Sequence, residues 1–203
     1  MTPQAAVSPA DFGIPGLHKR TYPAAAISAY ILAKDGNRPH LMPEAFTEGA
    51  LLTMDVRTDT IQFPQSTIGR DGITEVLVCR FNQTYENVYT FCLGAPPLAP
   101  VPFFECGWLV LMSEKATGRL RAGSGRYAWS FDAESGLVSE LVITIDGMLV
   151  LPPELMPAAM AWARTLPYPW CPLDLAESTM PALPDLRELR QQLLGDGAVT
   201  RLR

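Results

Sequence analysis

The sequence predicts an α+β fold, a curved antiparallel sheet wrapped around N-terminal helices. Three observations carry this expectation. Two helical segments follow the N-terminal arm, four long β-prone segments follow one another from about residue 86 to 150, and proline clusters break the chain ahead of the second of these and after the last. Each proline removes a backbone donor and restricts the residue before it, so clusters of them mark boundaries.

The elements follow in order. Residues 24–34 read as a helix, entered just after Pro23 and ended by Asp35-Gly36-Asn37. A short second helix is expected over 43–48, stopped by Gly49. Residues 50–57 and 60–63 are dense in Leu, Thr, Val and Ile and read as a hairpin turning at Asp59. Ile73, Val76, Leu77, Arg80 and Phe81 share one helical face, which predicts a third helix over 70–84 with Asn82 off that face. Residues 86–93, 103–115, 119–132 and 137–150 form the four-strand meander, parted by turn signals at Pro96-Pro97, Thr117-Gly118 and Glu134-Ser135-Gly136. Helices are expected on one face of this sheet. Eight prolines between 152 and 184 rule out one long helix there, leaving short ones over 155–163 and from Leu186 to Gly195.

This order divides the chain into an N-terminal arm (1–21), a barrel domain (22–151) and a Pro-rich C-terminal extension with short helices (152–203). Composition narrows the class. Of 203 residues, 48% are hydrophobic and 18% charged, so the chain has apolar surface for a well-filled core. Its 16 Lys and Arg are scattered singly in a chain of net charge −5, which excludes the basic stripe that nucleic acid requires. No run approaches the ~20 apolar residues of a membrane span, and no secretory leader pattern opens the sequence, so a cytoplasmic location is expected. The four cysteines, at 79, 92, 106 and 171, form no short ligand pair and read as reduced core thiols. With only His18 and His40, neither a multi-histidine metal site nor a Ser-His-Asp triad is expected, and no metal or other cofactor is implied.

The run from Tyr30 through Val56, then Ile68-Gly-Arg-Asp-Gly-Ile73 and the long strands, resembles the SnoaL-like branch of the nuclear transport factor 2 superfamily over about residues 22–151. Phe46-Thr-Glu-Gly-Ala50 and the Gly69 to Ile73 stretch are similar to the family's F-x-D-A and G-x-x-x-I markers. The resemblance implies a cone-shaped α+β barrel with a small-molecule pocket. It leaves two functions open, because such cones serve cofactor-independent isomerases, cyclases and dehydratases as well as non-catalytic binding or dimeric assembly modules. It places Asp55 where isomerase-like members carry a general base, and His40 at the pocket rim, as the catalytic candidates.

Strand alternation groups Tyr127, Trp129 and Phe131 on one face and Trp108, Val110 and Met112 on one face of the neighbouring strand. Such a stripe is core, interface or ligand lining. Trp108, Tyr127 and Trp129 are therefore binding candidates; Tyr30, on the first helix, is a candidate donor to a developing enolate, and Arg126, on the opposite face, reaches the pocket to hold a carboxylate or enolate oxygen only if the aromatics do not. The expected partners are a small apolar molecule and a second copy of the chain, docked through the sheet face. Gly123 and Gly125, inside a strand pattern, signal a bend in the sheet.

Overall fold

The computed structural model describes residues 21–200, with side chains placed as far as Leu193. The expected N-terminal arm, with His18, lies outside the described residues except for Thr21. Helix α1 (Pro23–Asp35) begins with proline at its first turn, where a missing N–H costs nothing. A 3-10 turn (Pro39–Leu41) leads to α2 (Met42–Ala45) and strand β1 (Phe46–Val56). The second helix is thus shorter than the sequence predicts, because Phe46 is fully buried and already pairs with Val138 of the sheet.

The partner of β1 also differs. Strand β2 is Ser66–Ile68, with Leu52 opposite Thr67, and residues 60–63 form no strand. Ile61 and Phe63 of that segment turn inward onto the core, which an exposed hairpin arm would not allow. Helix α3 (Arg70–Thr74), a π-helical turn (Glu75–Arg80) and α4 (Phe81–Thr84) run on as one rod over the expected span. The π turn advances the buried face by one residue. Ile73, Leu77, Val78, Phe81 and Asn82 are buried while Arg80 is exposed, so the expected places of Arg80 and Asn82 are exchanged.

Strands β3 (Tyr85–Leu93), β4 (Phe103–Glu114), β5 (Leu120–Phe131) and β6 (Val138–Leu151) form the predicted antiparallel meander. With β7 (Trp170–Cys171) the sheet has the order β2-β1-β6-β5-β4-β3-β7 and does not close. Two pairings, β1 with β6 and β3 with β7, are parallel. A bulge in β6 opposite Ser124 and Gly125 bends the sheet where the paired glycines signal it.

The sheet carries a core on each face. Its concave side packs Trp108, Val110, Met112, Tyr127 and Trp129 against α1 and the helical rod. Its outer side packs Phe91, Leu109, Leu111 and Leu120 against the C-terminal extension, in which α5 (Met156–Ala163), α6 (Leu173–Thr179) and α7 (Arg187–Thr200) contribute Trp162, Ala176, Leu189 and Leu193. Helices on one face only are therefore corrected to helices on both. The reason is legible in β4, which is apolar at consecutive positions from Trp108 to Met112 and so needs cover on both sides. The face expected to meet a second copy carries the chain's own extension at this end, while its other end, with Glu105 and Arg126, is exposed. No described helix is long and apolar enough to cross a membrane.

Candidate functional site

The bent sheet and the helices line a cavity of about 50 Å³ in the cone. Inward-facing alternation builds its walls: Met54 from β1, Trp108 and Met112 from β4, Tyr127 from β5, and Ile143 and Met148 from β6. Helix α1 adds Tyr30 and Lys34, and the rod adds Leu77 and Phe81. Ile61 and Phe63 close the remaining side. Gly125 makes room for Trp108, because a Cβ there would lie 2.7 Å from its Cζ2. The indole Nε1 of Trp108 is buried with no hydrogen-bond partner among the described residues.

One corner is charged. Lys34 Nζ donates to Asp35 Oδ1 at 2.6 Å and to Thr90 Oγ1 at 2.7 Å, and lies 4.8 Å from the centre of the Phe81 ring. Asp35 also accepts the Thr90 hydroxyl at 2.9 Å, the Thr90 amide at 2.6 Å and the Tyr168 hydroxyl at 3.0 Å. A carboxylate offers about four acceptor sites; four donors engage Asp35, and it does not line the cavity. Lys34 keeps one N–H uncommitted among these bonds. Burial of this pair is sustainable because each charge is paired and hydrogen-bonded. Burial also pushes the Tyr30 and Tyr127 hydroxyls well above the ordinary phenol range, so both face the interior as neutral groups.

The sequence-predicted residues divide accordingly. Tyr30, Trp108 and Tyr127 meet at the cavity wall. Trp129 lies behind it, fully buried, with its ring 5.6 Å from that of Tyr30 and 5.1 Å from that of Tyr127. Arg126 is exposed on the outer face, the arm of the alternative in which the aromatics face inward. His40 is exposed in the turn after α1, away from the cavity lining. Asp55 is out of phase with Leu52 and Met54 on β1, so it points outward, where its carboxylate binds Arg57 at 2.7 Å. Arg57 in turn reaches Asp146 at 2.8 Å. Neither catalytic candidate reaches the cavity. Lys34 escaped the sequence reading, although it falls four residues after Tyr30 and so on the same helical face. Thr90 and Tyr168 carried no such signal, since distant segments deliver them.

Cys92 and Cys106 sit on the same inner face of β3 and β4, and the Cys92 thiol is pushed up by its hydrogen bond with Cys106 and by burial. All four cysteines are free thiols. Among the described residues, no group of three or more His, Cys, Asp or Glu side chains is placed to hold a metal ion.

The chain is similar to solved structures of the nuclear transport factor 2 superfamily. A superfamily protein from Salmonella enterica serovar Typhimurium is 16% identical, with a TM-score of 0.47 over 60% of this chain and 87% of that one. An NTF2-like protein of unknown function from Exiguobacterium is also 16% identical, with a TM-score of 0.46 over 60% of this chain and 98% of that one. A protein with a ketosteroid isomerase-like fold from Catenulispora acidiphila is 14% identical, with a TM-score of 0.46 over 58% and 82%. No protein-family model matches the chain. No curated protein matches it. Similarity at this level leaves the activity to be argued from the chain's own residues.

Proposed function

We propose that the cone binds a small, largely apolar molecule bearing one hydrogen-bond acceptor, as a binding module without catalytic chemistry. The observation that carries this reading is the Lys34 corner. It offers a donor at the end of an apolar cavity, while the carboxylate beside it is engaged by four donors and does not line the cavity. A general base must reach the proton it removes, and Asp55 and His40 lie outside the cavity. Three methionines, Met54, Met112 and Met148, give the wall unbranched, adaptable side chains that accommodate differently shaped guests.

Methyl-labelled methionine makes the test direct. Titration with butan-2-one is expected to shift the Met54, Met112 and Met148 signals while leaving those of Met156, Met160 and Met180, in the outer layer, unmoved. Replacing Lys34 with Met together with Asp35→Asn removes the donor without stranding a buried charge. It should weaken binding about 10- to 100-fold, the range for a hydrogen bond to a charged group. Unchanged affinity in that double variant, or shifts confined to the outer methionines, would overturn the proposal.

A further inference from the structure

Resting on that reading, we propose that the cavity is the inner half of a longer channel gated by Ile61 and Phe63, and that its occupant is a neutral, unbranched aliphatic carbonyl compound. The oxygen lies at the Lys34 end and the chain runs outward beneath the loop of residues 57–65.

The first support is continuity. A groove of about 210 Å³ lies on the far side of Ile61 and Phe63, flanked by Pro64, Val76 and Tyr85. Ile61, Phe63 and Phe81 line both spaces, so these three side chains are the partition between them. The second support is size. An apolar cavity of ~150 Å³ admits benzene, whereas the inner space is about 50 Å³ and holds only a head group of a few atoms. A longer guest extends beyond it, and the groove past the partition is adjoining space.

The loop is built to let it. Thr60 is its inner anchor: its hydroxyl donates to the Met148 carbonyl at 2.5 Å, and its own carbonyl accepts Arg121 Nη1 at 3.0 Å. Arg121 is braced by Glu114 at 3.3 Å. The next anchor is the Gln65 carbonyl, which accepts the Met54 amide at 2.9 Å. Among the described residues, no hydrogen bond holds residues 61–64 between these points, and Ile61 and Phe63 are kept in place by apolar contact alone. Apolar contact is what an aliphatic chain can replace.

Charge selects the head group. Lys34 is already paired with Asp35, so an anionic guest would place a second negative charge beside a buried carboxylate. A carbonyl oxygen takes the remaining Lys34 N–H without that cost. At the outer end, Arg80 is mostly exposed and paired with Glu75 at 2.8 Å, so the groove makes no demand for a charged tail.

The test is a chain-length series on the unmodified protein: butan-2-one, hexan-2-one and nonan-2-one, followed by the methionine methyl signals. Affinity is expected to rise about fourfold for each added methylene. Ile61→Trp, which thickens the partition, should abolish that gain; Phe63→Ala, which thins it, should preserve the gain. Binding of butan-2-one without improvement along the series overturns the channel and leaves the proposed function standing. So does a full chain-length gain in the Ile61→Trp protein. Failure of every ketone to bind overturns both.

Discussion

Trp162→Ala tests whether the C-terminal extension is part of the folded unit or an appendage. Trp162 is 4% exposed in the outer core, and its Nε1 donates to Thr179 Oγ1 at 3.0 Å, tying α5 to α6. A buried tryptophan removes ~150–250 Å² from water, which at ~25 cal/mol per Å² corresponds to about 4–6 kcal/mol. Truncations of this kind cost about 3–5 kcal/mol in measured series, so the two routes agree. For a chain of this size each kcal/mol lowers Tm by about 2–4 °C, giving an expected drop of about 6–20 °C. Calorimetry alongside near-ultraviolet circular dichroism reads it, with Trp162→Phe as a control that keeps most of the area and loses far less. Two separate transitions, of which only one moves, or a loss below ~1 kcal/mol, would refute the claim that the extension and the cone form one cooperative structure.

Gly125→Ala should cost about 1–3 kcal/mol or more, because its Cβ would collide with the Thr144 carbonyl and with Trp108; urea unfolding at unchanged midpoint would contradict that packing. The tyrosines give a pH prediction. Burial holds Tyr30, Tyr127 and Tyr168 above the ordinary phenol value in the folded chain, with Asp35 adding to the shift at Tyr168. Their contribution to stability is therefore fully present below pH ~10 and declines above it, as the unfolded chain gives up protons that the folded one retains. Absorbance at 295 nm should show Tyr30 and Tyr127, both buried, titrating only with unfolding; ionisation of all six tyrosines near pH 10 with the fold intact would refute their burial.

The meander was legible because each strand repeats the same physical signal, apolar side chains at period two bounded by turn residues. Trp108 and Tyr127 were legible for the same reason. The segment at 60–63 misled because Ile61 and Phe63 share parity as a strand would require, yet tertiary packing draws both into the cone instead of pairing their backbone. Asp55 was misplaced by analogy, when the phase of β1, with Ala50, Leu52 and Met54 buried, already sends it outward. The Lys34 corner lay beyond reach because its partners come from residues 56 and 134 positions downstream of Lys34, and only the finished fold joins them. The π turn was equally hidden, since no composition signal marks the one-residue advance that buries Asn82 against the Lys34 carbonyl at 2.7 Å.

The parallel pairing of β1 with β6 has a consequence in time. Because β1 is bordered by strands ending at Ile68 and Leu151, its long edge stays unpaired until β6 has been made. The outer layer comes later still. At ~5–20 residues per second, synthesis of residues 152–193 takes roughly 2–8 s, and throughout that interval Leu109, Leu111 and Leu120 have no helices to cover them. The nascent chain thus passes through a stage with strands β1 to β6 made, β7 and the outer helices still to come, and a bare apolar outer surface open to capture by a chaperone or by another unfinished copy.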